Sequence, residues 1–132
     1  MAKGYDRHQE RLAALSSFGR ELARRSRSSC ELCEASGTKL SVFEVPPTPE
    51  EPVVESCIFI CDTCQEQIEN PKRMEANHWR CLNNAMWSEV PAAQVMAVIM
   101  LHRLAKSEDW ATDLLEQVYL DEEVQEWVDE VL

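Results

Sequence analysis

Glycine is scarce, with three in 132 residues. That leaves no Gly-rich loop of the kind whose backbone N–H groups cradle a phosphate. Histidine is equally scarce, and none of His8, His78 and His102 lies between Cys33 and Cys64. Long apolar runs are missing too. The longest, Val95 to Leu101, is too short to span a bilayer. The opening residues, Met1 to His8, are polar and carry no signal-peptide pattern, so a cytoplasmic setting is expected. Lys and Arg are absent from Ser107 to Leu132, where ten acids stand together.

The charge is correspondingly uneven. The chain carries −11 at neutral pH, yet residues 1–28 hold seven Lys and Arg against three acids, a net +4. An acidic body repels phosphate and disfavours general nucleic-acid binding. The basic N-terminal segment is the local exception, through Arg20, Arg24, Arg25 and Arg27. The simpler expectation is that its helix face is solvated and pairs with the acidic C-terminal residues.

Against these absences stand six cysteines, four of them in two Cys-x-x-Cys pairs. Cys30-Glu31-Leu32-Cys33 and Cys61-Asp62-Thr63-Cys64 are separated by 27 residues. In a reducing compartment such pairs favour a metal over disulfides. Each pair supplies two sulfurs from one tight turn, and two turns complete the tetrahedron that zinc prefers. With four protein ligands the site is closed, hence structural. A metal would also help a small Cys-rich lobe to fold. Four thiolates on Zn²⁺ leave −2, so N–H donors and a cation such as Lys39 are expected nearby. Cys57 and Cys81 read as buried thiols rather than ligands.

The flanking pattern places this cluster. Residues 5–28 read as one amphipathic helix, with Leu12, Leu15, Phe18 and Leu22 inward. Leu40 to Val45 and Val53 to Ile60 read as the strands of a hairpin whose Pro-rich tip, Pro46 to Pro52, cannot enter a sheet interior. Asp62 to Glu69 reads as a short helix stopped before Pro71. A helix from about Met74 is expected to share Trp79, Leu82, Met86 and Trp87 on one face. Ala92 to Ala105 is apolar nearly all round, as a buried helix should be. Ser107 is the expected cap of the next helix, carrying Trp110 and Leu114 inward, and Asp121-Glu122-Glu123 opens a last one with Val124, Trp127, Val128 and Val131 inward. The four tryptophans are expected mainly in the core, with an exposed interaction surface as the alternative.

A Cys pair, a hairpin, and a second Cys pair opening a helix is the layout of a treble clef. The second pair then sits where free N–H groups at a helix start stabilise sulfur anions. The outline resembles HNH-type endonucleases, but the matching stretches, Phe43-Glu44-Val45 and Cys64-Gln65-Glu66, lack the histidines that such enzymes use as base and metal ligand. Glu44 remains as a carboxylate, read as solvated rather than cation-binding. Cys57-x3-Cys61-x2-Cys64 resembles the iron–sulfur motif of radical S-adenosylmethionine enzymes, whose partial barrel is longer than this chain. Thioredoxin-like redox sites use one pair after a strand, not two around a hairpin.

A more specific likeness rests on several segments together. Cys30-Glu31-Leu32-Cys33, Glu44-Val45-Pro46-Pro47, Cys61-x-x-Cys64, His78-Trp79-Arg80-Cys81-Leu82 and Met86-Trp87-Ser88-Glu89-Val90-Pro91 resemble the PhnA-like zinc-ribbon proteins of bacteria. Trp110-Ala111-x-Asp113-Leu114-Leu115 and Tyr119-Leu120-Asp121 extend the match. The resemblance implies zinc on Cys30, Cys33, Cys61 and Cys64. Through the gene context behind the family's name, it also implies a link with alkylphosphonate utilisation. Many relatives carry a small SH3-like domain at the C-terminus; no segment here matches it, so functions residing there are not carried over.

The expected protein is thus mainly α with a small β-hairpin: a zinc-ribbon or treble-clef lobe plus a helical lobe. The expected division is an N-terminal helix over 1–29, a zinc lobe over 30–70 and an acidic helical lobe over 71–132. Its expected role is that of a binding or regulatory module with a protein partner and no membrane. The alternatives are an enzyme or accessory protein of phosphonate metabolism, and nucleic-acid binding through the N-terminal arginines. His78 and Arg80 are candidate contacts for an anion or a partner.

Overall fold

The two Cys pairs flank an antiparallel hairpin. In the computed structural model, which describes the backbone of residues 3–132 and side chains from Arg7 onward, β1 (Leu40–Glu44) pairs with β2 (Cys57–Cys61). Leu40 lies opposite Cys61 and Glu44 opposite Cys57. Val45 N donates to Ser56 O at 2.8 Å, carrying the pairing one step past the strands. The Pro-rich tip forms the loop expected of it, with a cis Pro46–Pro47 bond. Val54–Ser56, expected within the return strand, is instead a 3-10 turn. Cys61 ends β2 and caps α3 (Asp62–Glu69), which has the limits read from the sequence.

The single helix expected over 5–28 is broken. α1 (Lys3–Ser17) and α2 (Gly19–Ser26) meet at Phe18. Gly19 follows the break, and glycine is a poor helix propagator. Leu22 is fully buried, but Leu12, expected on the inner face, is 44% exposed. α1 is tied down by Arg11 instead. Its guanidinium grips the Glu44 carboxylate at 2.8 and 2.5 Å and also donates to Pro49 O and Glu50 O. Glu44 is therefore an ion-pair partner rather than a solvated strand acid.

The helix expected from Met74 is also replaced. Pro71–Arg73 and His78–Cys81 are 3-10 turns, and only Leu82–Ala85 is helical (α4). Trp79, Leu82 and Met86 are buried as expected, whereas Trp87 is half exposed. Buried Gln67 explains the irregular path. Its Oε1 accepts Glu75 N and Trp79 Nε1, both at 2.8 Å, and so fastens this segment to α3.

α5 (Pro91–Leu104) runs through the centre of the molecule. Ala92, Ala93, every residue from Val95 to Leu101, and Leu104 are buried, as an all-round apolar helix requires. Pro91 occupies the first turn, where its missing N–H costs nothing. α6 (Asp109–Gln117) and α7 (Glu122–Val131) pack against α5. Asp121 caps α7 by accepting from Val124 N at 3.1 Å. Ser107 does not cap α6; its N–H still bonds Leu104 O, so it belongs to the turn that ends α5, and Glu108 precedes α6 without a side-chain cap.

The segments expected to form separate lobes share one apolar core. It runs from Cys30, Leu32, Ile58 and Ile60 through Trp79 and Met86 to α5, Val124 and Val128. Two polar ties cross the same boundary. Trp127 Nε1 donates to Pro46 O at 2.7 Å, and Arg103 Nη1 to Ile68 O at 3.2 Å. No helix among the described residues is long and apolar enough to cross a membrane.

Candidate metal centre

Cys30 begins a knuckle. Its N–H bonds Ala35 O at 2.8 Å, and Glu34 N returns to Cys30 O at 2.9 Å. Closing so tight a turn puts Glu34 at φ 66° and Gly37 at φ 70°; the second is a conformation that glycine adopts at little cost. Glu31 locks the knuckle to β2. Its N–H bonds Phe59 O, its carboxylate accepts Phe59 N, both at 2.8 Å, and Arg25 clamps the same carboxylate at 2.6 and 2.9 Å. Arg25 also donates to Cys57 O at 2.9 Å. This lock sets Cys30 and Cys33 on one side against Cys61 on the other.

The result is a cluster of four sulfurs, Cys30, Cys33, Cys61 and Cys64, all within 4.8 Å of one another. Cys30 and Cys64 are 3.7 Å apart, and Cys33 and Cys61 are 3.6 Å apart. These are not disulfide lengths, which are about 2.05 Å. A tetrahedral zinc with Zn–S bonds of about 2.3 Å has S···S edges of about 3.8 Å. The donor set fits zinc in its chemistry, and the 3.6 and 3.7 Å separations lie close to that edge. Cys30, Cys61 and Cys64 are buried and Cys33 is partly so; four protein ligands are the number that a structural zinc site uses.

The electrostatics agree with a cation site. Backbone N–H groups reach the sulfurs, Cys33 N to Cys30 at 3.4 Å and Cys64 N to Cys61 at 3.5 Å. Cys30 is held down to about 4, first by its hydrogen bond with Cys64 and, against burial, by backbone bonds from Cys33, Cys61 and Leu32. Burial pushes Cys33 up to about 12. Cys64 is pushed up by its bond to Cys30, by burial and by the charges of the other three. Protein groups alone thus hold Cys30 low and Cys33 and Cys64 high, and a bound dication would favour the ionised form of these thiols.

The other sequence candidates are distributed as follows. Cys57 is fully buried, donates to Val53 O at 3.4 Å and is pushed up to about 11 by burial. Cys81 is partly buried and pushed up to about 12, again mainly by burial and then by the charge of Cys30. Neither joins the four. His78 and Arg80 have different neighbours: His78 Nε2 lies 3.2 Å from Cys64 Sγ, while exposed Arg80 stacks over Trp110 at 4.5 Å. Lys39 makes no ion pair or side-chain hydrogen bond among the described residues. Arg25 is engaged by Glu31, while Arg20, Arg24 and Arg27 are exposed. The expected pairing with the acidic C-terminus is not found among the described residues, whose ion pairs are Arg11–Glu44, Arg25–Glu31 and Arg73–Glu66.

Sequence reasoning missed two contributors to this centre. One is Glu31, inside the first Cys pair, whose carboxylate serves the backbone of β2. The other is the contact of His78 with Cys64. A buried carboxylate needs a partner, so an acid within a Cys knuckle was a usable signal; the His78 contact depends on a long-range fold with no local signature.

No family model, curated protein or solved structure matches the chain.

Proposed function

We propose that this chain is a PhnA-like zinc protein in which a closed four-cysteine site is structural and the protein acts as a binding or regulatory module in the reducing cytoplasm. The observation that carries the reading is the cluster of four sulfurs within 4.8 Å of one another, with two of its pairs at 3.6 and 3.7 Å. Six free cysteines suit a reducing compartment. The family assignment rests on the sequence segments given above, and its gene-context label supports as an alternative an enzyme or accessory protein of phosphonate metabolism.

Metal analysis tests it. Chain prepared without added metal is expected to carry one zinc, and Cys57→Ala is expected to keep the same stoichiometry. Loss of metal from that variant means that the ligand set is wrong. Iron instead of zinc, or a metal with a substrate-accessible position, removes the structural reading and turns attention to catalysis.

A second reading has one observation in its favour. Arg20, Arg24 and Arg27 are exposed, the first two sharing one side of α2 and the third at its C-cap. A nucleic acid is the anionic partner to test. Salt-dependent binding that disappears in the triple Gln variant supports this reading, and no binding at low salt removes it.

A further inference from the structure

The four sulfurs do not receive the same help from the backbone. Cys30 accepts from Cys33 N and Cys61 from Cys64 N. Cys33 has a backbone hydrogen bond from Ala35. Cys64 Sγ instead has a side-chain nitrogen beside it, His78 Nε2 at 3.2 Å.

That imidazole is held from behind. α3 carries Cys64 near its start and Gln67 one turn later. Gln67 Oε1 anchors the fully buried Trp79 by its Nε1 at 2.8 Å. The Trp79 ring meets the His78 ring edge-on, with centroids 5.0 Å apart and planes at 84°. The path therefore closes on itself: Cys64, α3, Gln67, Trp79, His78 and back to Cys64. His78 is partly buried, so its bond to sulfur competes only partly with water.

We infer that His78 belongs to the metal centre as a positioning residue, its imidazole donating Nε2–H to the metal-bound Cys64 thiolate, and not as a fifth ligand. The inference rests on the zinc reading above. Four thiolates around Zn²⁺ leave a charge of −2, and an N–H aimed at a sulfur spreads that charge without occupying the metal. Partners in this outer layer commonly change metal affinity by about 10- to 100-fold when removed.

The test uses the full metal-loaded chain. Proton–nitrogen correlation of the imidazole is expected to show a proton on Nε2. Cadmium substitution is expected to add a scalar coupling between the metal nucleus and Hε2, transmitted through the Cys64 sulfur. In chelator competition, His78→Ala is expected to lose about 10- to 100-fold in zinc affinity while its cobalt form keeps the charge-transfer intensity of four thiolates. His78→Gln keeps an N–H donor and is expected to recover part of the loss. The wild-type spectra do not depend on any variant folding.

An Ala variant within about twofold of wild type, or a wild-type ring without the Hε2 coupling, overturns the hydrogen bond. A metal-bound Nε2 with three thiolates overturns it in favour of direct ligation. Both results leave a metal centre standing, whereas a wild-type chain that takes up neither zinc nor cobalt removes the zinc reading together with the inference.

Discussion

Residues 30–69 and the helices around α5 solve the same problem with different means. The Cys segment has a two-stranded hairpin of five residues per strand and one short helix. An isolated hairpin of that size is marginal in water. It is held by directional contacts: the knuckle bonds, the Arg25–Glu31 clamp, the Gln67 junction and, as proposed, zinc. α5 makes few such contacts and buries ten apolar side chains. One region therefore depends on a few well-placed atoms, the other on volume. Their shared core means that neither is wholly independent.

This contrast orders the predicted effects. Removing the metal, or substituting Cys64→Ser, should be the most damaging change, since structural zinc supplies on the order of 10–16 kcal/mol in finger peptides. Amide exchange should then lose protection first across β1, β2 and α3. Protection lost first in α5 would reverse the comparison. Ile99→Ala, in the middle of α5, should cost about 2–5 kcal/mol in denaturant unfolding while leaving zinc stoichiometry intact. If that variant released the metal at equilibrium, the two regions would form one cooperative unit.

Glu31→Ala sharpens the contrast inside the Cys segment. It strips Arg25 and Phe59 N of their partner, and the Glu31 side chain is only 6% exposed. Arg25 is partly solvated, so the cost should be near the low end for a broken buried pair, about 3 kcal/mol. Thermal unfolding with zinc in excess would measure it. The smallest effect is expected outside both regions. Gly19 has open space where a Cβ would sit and does not need a left-handed conformation. Gly19→Ala should stabilise by about 0.4–1 kcal/mol through the unfolded chain. A destabilised variant would show that the α1–α2 break needs glycine.

What was legible in the sequence was what is local. The Cys-x-x-Cys turns announced all four sulfurs because each turn determines two of them. α3 was readable between Cys61 and Pro71, and α5 from its unbroken apolar composition. The segment after Met74 misled because Trp79, Leu82 and Met86 at helical spacing are satisfied equally by successive tight turns, and Gln67 selects those turns from another part of the chain. The long helix over 5–28 failed at Phe18, where apolar periodicity continues although the backbone does not. The N-terminal arginines were matched by charge to the wrong acids: Arg11 and Arg25 pair with Glu44 and Glu31, which the hairpin and knuckle bring close.

The most direct measurement is zinc-edge X-ray absorption on the protein as purified, together with its metal-to-chain ratio. A closed structural site predicts one zinc per chain surrounded by four sulfurs at about 2.3 Å. A shell containing nitrogen or oxygen in place of a sulfur, or no zinc at all, would contradict it.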